Sequence, residues 1–169
     1  MVEIFILIII IIAMKKSSKT LAALHPSPQI RELKTLAELE TIYPLVKQVN
    51  RDTSKREFKQ QLAAMHARGY RCFGAFSGAQ LVGACGLWHG TRFWCGEYIE
   101  VDNLVVDQSQ RGGGIGALLM RAAEKEAKRL KCSLVMADSY THNTDSHRFY
   151  FREGYIIKGF CFVKDIPVE

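Results

Sequence analysis

A chain of 169 residues, 48% hydrophobic and 24% charged, has the size of one globular domain and is too short for two full-sized domains. Disordered and collagen-like chains are excluded, since 10% of the residues are aromatic and only 13 Gly and 4 Pro occur. The net charge of +6 suits an anionic ligand and a nucleic-acid surface about equally. The cysteines have no C-x-x-C spacing, so we predict neither a disulfide framework nor a zinc ribbon, and expect a reducing, cytoplasmic location.

An apolar run over residues 4–14 begins the chain. As a helix it would span roughly 16 Å, about half of a bilayer core. Acidic Glu3 precedes the run and basic Lys15 follows it, which is opposite to a secretory signal. The run is a weak membrane anchor, a segment that packs on a partner, or the product of a start codon placed upstream of a true start at Met14, the interpretation we prefer. Residues 1–28 are assigned to this run and a flexible linker, and residues 29–169 to a single domain.

Hydrophobic periodicity and turn signals predict ten elements in the order β-α-α-β-β-β-α-β-α-β. Two helix starts carry capping boxes, in which a hydroxyl side chain is followed three residues later by a glutamate. The predicted elements are a strand over 29–33, a helix over 36–49 started by Thr35 and Glu38, a helix started by Ser54 and Glu57 and ended by Gly69, strands over 70–76, 80–89 and 97–107, a helix over 115–130, a strand over 133–138, a helix over 145–152 and a strand over 155–164. This order predicts one α/β domain with a mixed sheet.

Four glycines in the five positions 112–116 join a predicted strand to a predicted helix. Without side chains, their backbone N–H groups can approach a ligand closely and adopt positive φ. The first helical turn adds unpaired N–H groups and the positive end of its dipole, and Arg111 adds a full positive charge. These converging donors predict a phosphate-binding loop. A tight turn without a ligand is the alternative.

Two common phosphate loops fit this segment poorly. A Walker A loop ends in Gly-Lys-Ser/Thr, whereas Gly116 is followed by Ala117 and Leu118. The dinucleotide fingerprint follows the first strand of a βαβ unit. Here the loop follows several β-rich runs, although an acidic residue, Asp138, stands about 20 positions further on.

The segment 106–119 resembles the acetyl-CoA loop of the GNAT N-acetyltransferases. The family pattern Gln/Arg-x-x-Gly-x-Gly/Ala is matched by Arg111, Gly114 and Gly116. A second feature, formed by Asn143, Phe149-Tyr150 and Gly154-Tyr155, is similar to the Asn…Phe-Tyr…Gly-Phe ending of the family. The resemblance extends over roughly 29–164. It implies a GNAT-like fold and transfer of an acetyl group from acetyl-CoA to a primary amine, by direct attack in a ternary complex.

The resemblance also implies which residues hold acetyl-CoA as co-substrate. The end of the preceding strand would pair its backbone with the pantetheine arm, and the loop amides would hold the pyrophosphate. Asn143 would hydrogen-bond the same arm, cap a helix, or do both. The implied contacts are Leu104, Val105, Val106, Arg111, Gly112, Gly113, Gly114, Ile115, Gly116, Ala117 and Asn143.

An ammonium group must lose a proton before it can attack a thioester. The resemblance implies Glu100 as the base, with Asp102 next; either could instead be an anion that recognises a cationic acceptor. Their spacing places them on one strand face, which they share with Leu104 and Val106 if no bulge intervenes. Tyr150 resembles the general acid that protonates the CoA thiolate; packing on the core is its alternative.

The acceptor itself is left open by the sequence. We expect selectivity to lie in residues 43–58 and 88–97, and the acidic residues Glu97, Glu100 and Asp102 favour a cationic small molecule slightly. The aromatic residues Trp88, Phe93 and Trp94 are expected to line a pocket, or else to pack in the core or at a rim.

The expected partners follow from what the sequence carries and lacks. No metal is expected, since His142 and His147 have no third ligand nearby. No nucleic acid is expected, and a membrane only if the apolar run is real. A homodimer is a further expectation. A catalytically silent acyl-CoA-binding regulatory module is the alternative to an enzyme.

Overall fold

A computed structural model describes residues 27–167. The apolar run over 4–14 and the start predicted at Met14 lie outside the described residues. The elements, in chain order, are β1 Gln29–Leu33, α1 Leu36–Glu40, α2 Tyr43–Val49, α3 Lys55–Ala67, β2 Arg71–Ser77, β3 Gln80–Arg92, β4 Gly96–Val106, a short 3-10 helix Gln108–Gln110, α4 Ile115–Arg129, β5 Leu134–Ala137 and α5 Thr144–Arg152.

The five strands form one mixed sheet with helices on both faces. The strand order is β1-β2-β3-β4-β5, antiparallel up to β4, and β5 runs parallel to β4. On the first face, helices α1–α3 bury a cluster that includes Leu39 and Phe58. On the second face, α4 buries Leu119 and Met120, and α5 packs beside it through Phe149. The predicted α/β class with a mixed sheet is confirmed. Across residues 27–167, no helix combines the length and apolarity needed to cross a bilayer.

Both predicted capping boxes form. Thr35 Oγ1 accepts a hydrogen bond from the Glu38 amide at 3.2 Å, and the Glu38 carboxylate accepts one from the Thr35 amide at 3.1 Å. The single helix predicted over 36–49 is wrong, because the chain breaks it into α1 and α2 between Glu40 and Tyr43. Pro44 explains the break: it has no N–H for the carbonyl of Glu40, and its ring crowds that carbonyl.

The hairpin of β3 and β4 is longer than predicted, and only residues 93–95 form its turn. Gly90 lies opposite Tyr98, whose ring comes within 2.8 Å of where a Cβ on Gly90 would stand. The glycine predicted to sit in a loop therefore makes room for a cross-strand aromatic ring.

Of the alternatives for the three aromatic residues, core packing is confirmed for Trp88, and the three side chains do not line one pocket. Trp88 packs against Tyr70 on the first face, with ring centroids 5.3 Å apart. Phe93 and Trp94 lie in the turn at the far end of the hairpin and are exposed. Because a strand rises roughly 3.3 Å per residue, the turn lies well away from Trp88.

The terminal strand predicted over 155–164 is also wrong, since residues 155–167 have no regular secondary structure. Within the described range, the outer edge of β5 has no neighbouring strand. Residues such as Ile157 and Phe160 favour strands locally, but a strand forms only where a second one satisfies its backbone hydrogen bonds.

Candidate active site

Strands β4 and β5 separate partway along their length and leave a cleft. They pair only from Tyr98 with Leu134 to Val101 with Ala137. Beyond this point β4 continues to Val106, and within the described range no strand lies on its β5 side. The end of β4, where the resemblance places pantetheine contacts, therefore has a free backbone edge that can pair with an extended ligand.

A β-bulge stands at the mouth of this cleft. Cys85 pairs with Leu104 and Leu87 pairs with Val101, so Gly86 alone opposes both Asp102 and Asn103. An extra residue of this kind reverses which side chains face which side of the sheet. Leu104 accordingly packs under α4 on the second face.

Because of the bulge, the two carboxylates do not share a face of the sheet with Leu104 and Val106, as was expected without a bulge. Glu100 lies directly opposite Trp88, and Asp102 Oδ2 accepts a hydrogen bond from Trp88 Nε1 at 3.3 Å. Both carboxylates therefore lie on the first face, where Trp88 packs. Leu104 and Val106 lie on the second face.

The two carboxylates have different surroundings. Glu100 is half-buried, and its Oε2 lies 3.5 Å from Nη2 of Arg92. The Arg92 guanidinium itself lies 4.7 Å from the centre of the Tyr98 ring. Asp102 is exposed, and the group that donates to it is the neutral indole of Trp88. Asp102 is thus the more accessible of the two and the closer to the cleft.

Glu97 does not belong to this acidic pair. It lies opposite Thr91, whose hydroxyl donates to it at 2.6 Å, and its Oε2 is 2.7 Å from Nε2 of His89. Glu97 and Glu100 are three positions apart with no bulge between them, so the two side chains point to opposite faces. The expected group of three acidic residues is therefore reduced to two.

A buried tyrosine that the sequence analysis did not single out lies beneath the bulge. Tyr70 is 2% exposed, and a Cβ on Gly86 would overlap its ring and hydroxyl. The pKa of Tyr70 is raised well above its usual value, mainly by burial and to a smaller extent by the nearby Cys72 and Asp102. The phenol therefore stays neutral. A glycine inside a strand, at Gly86, was the available signal of this close approach.

The glycine loop between β4 and α4 presents a row of unpaired backbone donors. Gly112 and Gly114 have φ of +80° and +79°, backbone angles that residues other than glycine rarely adopt. Within the described range no acceptor takes the amide N–H groups of residues 111–117, and no side chain caps α4 at Gly114. These donors, at the positive end of a 15-residue helix, fit an anionic ligand such as a diphosphate.

Polar contacts from helix α2 fix the start of this loop. Gln48 Nε2 donates to Asp107 Oδ2 at 3.1 Å, and Gln48 Oε1 accepts from the Gln108 amide at 3.1 Å. Asp107 also accepts from the Ser109 hydroxyl and amide, contacts that lower the pKa of its carboxyl, with Gln48 contributing less. The sequence gives no sign of this role of Gln48, because a glutamine on a helix carries no signal of a contact about 60 residues away.

Arg111 is held at the end of β4 rather than free in solvent. Its Nε donates to the carbonyl of Val106 at 3.2 Å, while its side chain remains exposed. The guanidinium therefore adds positive charge beside the loop amides, in the place that the sequence predicts.

Helix α5 carries part of the second feature of the resemblance, with Asn143 as its N-cap and Phe149 and Tyr150 within it. Asn143 Oδ1 accepts from the Ser146 amide at 3.2 Å, so its capping role is confirmed. Within the described range the Asn143 side-chain amide donates no hydrogen bond. Gly116 leaves room for Phe149, whose ring would lie 3.2 Å from a Cβ at that position, and this contact holds α5 against the first turn of α4.

Tyr150 lies on the second face, opposite to the carboxylates. Its ring packs between Phe149 and Tyr155, at centroid distances of 5.3 Å and 5.7 Å. Burial raises the pKa of Tyr150 to about 12, and its hydroxyl donates no hydrogen bond to the residues of the described range. The side chain is therefore a protonated phenol whose donor is available to a ligand.

The chain is similar to known proteins in both sequence and fold. The sequence matches the Acetyltransferase (GNAT) family over residues 33–155. It is 39% identical over 71 residues to the aminoalkylphosphonate N-acetyltransferase of Salmonella typhimurium. That match covers 42% of this chain and 44% of the relative, so the chain matches less than half of the relative's length.

The fold is similar to that of solved acetyltransferases. An aminoglycoside N-acetyltransferase in complex with CoA has a TM-score of 0.73 at 16% identity, covering 83% of this chain and 95% of that chain. The glucosamine-6-phosphate N-acetyltransferase of Arabidopsis thaliana has a TM-score of 0.66 at 17% identity, covering 83% and 99%. The match over residues 33–155, on a fold of this kind, confirms the predicted acetyltransferase class, and the chain belongs to the acetyltransferase (GNAT) family.

Proposed function

We propose that this protein is an N-acetyltransferase that moves an acetyl group from acetyl-CoA to a primary amine of a small molecule. The observation that carries the proposal is the row of unpaired amides over residues 111–117 beside the free edge of β4. Four glycines keep these donors open to a ligand. Membership of the family and the fold shared with a CoA-bound acetyltransferase support the identity of the donor.

The same residues that the resemblance implied hold acetyl-CoA in this proposal. The pyrophosphate accepts from the loop amides, with Arg111 adding charge. The pantetheine arm runs along the backbone of residues 104–106, whose edge is free on the β5 side, and the Asn143 side-chain amide donates to it. A polar ligand with both a diphosphate and amide groups matches this set of donors and acceptors.

In this proposal, side chains on both faces of the sheet beside the cleft take part in the reaction. Asp102 and Glu100 lie on the first face, where they attract an ammonium group and where Asp102 removes its proton, directly or through a water molecule. The neutral amine forms a C–N bond with the thioester carbonyl carbon, and the C–S bond breaks with its electron pair on the CoA sulfur. The proton lost by the new amide nitrogen passes through water to that thiolate. Holding the two reactants together supplies much of the rate. Two observations support Asp102 and not Glu100 as the base. Asp102 is exposed and accepts a hydrogen bond from a neutral indole, whereas Glu100 lies beside the Arg92 guanidinium.

Tyr150 stabilises the leaving thiolate from the second face. A phenol with a pKa of about 12 is a weaker acid than a thiol with a pKa of about 8.5. Full proton transfer to the thiolate would therefore be uphill. Donation of a charge-assisted hydrogen bond is sufficient, and a bond of this kind contributes about 1.5–3 kcal/mol.

The acceptor proposed is a cationic amine of small size. Two carboxylates at the mouth of the cleft, Glu100 and Asp102, favour an ammonium group. The named activity of the Salmonella relative, on aminoalkylphosphonates, supports a small molecule over a protein. We favour an enzyme over a silent binding module, because two carboxylates lie on the first face at the start of the cleft and the phenol of Tyr150 lies on the second face. A cytoplasmic location remains a prediction, supported by five free cysteines.

Release of free thiol from acetyl-CoA, measured with a panel of small amines, tests the reaction. Tyr150→Phe should lower kcat about 10- to 150-fold with little change in the Kd of acetyl-CoA. Tyr155→Phe is the matched control, because it removes a phenol of the same aromatic cluster that points to Glu124 instead. An unchanged kcat in Tyr150→Phe, with chemistry limiting the rate, would refute the role of Tyr150.

The two carboxylates are separated by their pH profiles. Asp102→Asn should abolish the rise of kcat/KM with pH that deprotonation of the base produces, whereas Glu100→Gln should raise the KM of the amine and keep the profile. The reverse pattern would assign the base to Glu100.

A further inference from the structure

A groove between helix α4 and strand β1 lies apart from the cleft. It has a volume of about 670 Å³ and lies on the second face, where α4 crosses from β4 to the edge of the sheet. Its floor is formed by Ile30, Phe73 and Ala122, all half-buried. Helix positions 114 and 125 are roughly 16 Å apart along the axis of α4, so the groove is separate from the glycine loop.

One group of charged side chains in the groove is already balanced. Arg71 Nε lies 2.6 Å from Oε1 of Glu32, and the same guanidinium contacts Glu126. Arg129 Nη2 lies 2.7 Å from Oε1 of Glu126. These two cations and two anions satisfy one another, so this network attracts no further charge to the groove.

Two lysines on the rim of the groove are left without an acidic partner. Lys125 and Lys128 are exposed and both line the groove. Among residues 27–167, no carboxylate lies within 4.0 Å of either ammonium group. Because the floor beneath them is apolar, the groove matches a ligand that carries both acidic and apolar side chains.

Strand β1 supplies this groove with a free backbone edge. Within the described range β1 is the outermost strand of the sheet, and it pairs with β2 alone. Alternate residues of such a strand point their N–H and C=O groups away from the partner, and this row can pair with another strand. The five residues of β1 provide about 17 Å of edge. Arg31 leaves the groove open, because its guanidinium lies on the first face, 4.2 Å from the centre of the Phe76 ring.

We propose that an extended acidic peptide of a partner protein adds a strand to the outer edge of β1 and lays its side chains in this groove. Backbone pairing with β1 supplies affinity, and the side chains on the second face supply selectivity. Lys125 and Lys128 are three positions apart on a helix, with Cβ atoms about 5–6 Å apart. Acidic residues two positions apart on a strand are separated by about 7 Å, so one such pair matches both lysines.

Binding of a designed peptide to the full chain tests the proposal independently of acetyl transfer. The probe is fluorescein-labelled Thr-Glu-Thr-Glu-Thr-Val-Thr, which places both Glu side chains and the Val side chain on one face of a strand. Fluorescence anisotropy in about 0.15 M salt should show saturable binding to the wild-type chain. No binding would overturn the proposal. Binding of octanoate but not of this peptide would overturn it in favour of a small amphipathic anion.

Charge reversal tests the two lysines. The double variant Lys125→Glu/Lys128→Glu should raise the Kd of the peptide at least about tenfold, because two attractions become repulsions. Lys55→Glu/Arg56→Glu is the matched control: it makes the same change of net charge at two exposed residues of α3, which packs on the first face. At this salt concentration it should change the Kd by less than about twofold. Equal effects of the two double variants would overturn the proposal, since attraction would then depend on net charge alone.

N-methylation of the peptide tests strand addition itself. The N–H groups of alternate residues in a strand point to opposite edges, and only one edge of the added strand faces β1. One version of the peptide is methylated at its Thr amides and another at its Glu and Val amides. One version should lose binding and the other should keep it. Two versions that bind as well as the unmodified peptide would overturn the proposal, because the backbone would then not pair with β1.

Discussion

Replacing one glycine of the loop by alanine tests the proposed binding loop by changing its backbone alone. A Cβ at Gly114 would meet no atom within 4 Å, so the φ of +79° is the only source of strain. An alanine held in this left-handed region costs about 1–2 kcal/mol. Part of that cost is relieved if φ moves, which turns the amide N–H groups of Gly114 and Ile115 away from the ligand. Loss of one charge-assisted hydrogen bond raises the Kd of acetyl-CoA by about 10- to 150-fold.

Gly78→Ala provides the matched control. Gly78, in the turn between β2 and β3, has a φ of +60° and equally open surroundings, but it lies outside the loop. Urea unfolding should show both variants losing about 1–2 kcal/mol of stability, while calorimetry with acetyl-CoA should show weaker binding for Gly114→Ala alone. Equal Kd values for the two variants, within a factor of two, would refute the role given to the loop amides.

Three further predictions concern the residues that support the site and the sheet. Gln48→Ala removes the contacts that fix the start of the loop. It should weaken the binding free energy of acetyl-CoA by about 1 kcal/mol, which is a severalfold rise in Kd, without changing the melting temperature. An unchanged Kd would contradict the positioning role of Gln48. Gly86→Ala drives a Cβ into the Tyr70 ring and should lower the free energy of unfolding by about 2 kcal/mol. It should also slow turnover, because it disturbs the bulge that positions Asp102. A variant as stable and active as the wild type would contradict this. Glu126, held by Arg71 and Arg129, has its pKa lowered to about 2, with Arg129 the largest cause; Glu126→Gln should lower stability at pH 7 by about 2 kcal/mol. Because a lowered carboxyl pKa stabilises the fold above the ordinary value of 4.5, this difference should shrink as the pH falls from about 4.5 to 2, and a difference independent of pH would refute it.

Local signals in the sequence were sufficient for most of the elements and for the loop. Capping boxes at Thr35 and Ser54 correctly predicted where helices begin, because a cap depends only on residues three positions apart. The loop glycines at 112 and 114 adopt positive φ, as their number and place predicted. The break at Pro44 could also have been predicted, since a proline ends a helix regardless of the apolar period around it.

Features that depend on distant contacts could not be predicted. The bulge at Asp102 arises from the register between β3 and β4, and Gly86 signals a close approach without giving the strand that makes it. Gln48 reaches Asp107 only because α2 packs beside the loop. The composition of residues 155–164 favours a strand. Whether a strand forms depends on a neighbouring strand that pairs with it, and local sequence does not specify that neighbour.

Calorimetry of the wild-type chain with CoA and with pantetheine, at one low salt concentration, tests the central claim most directly. Pantetheine keeps the amide-bearing arm and the thiol but lacks the diphosphate that the loop amides are proposed to bind. With at least two charge-assisted hydrogen bonds to the diphosphate, CoA should bind about 100-fold more tightly or better. Equal affinities for the two, or no heat with CoA, would contradict the account of residues 111–117 as the diphosphate site.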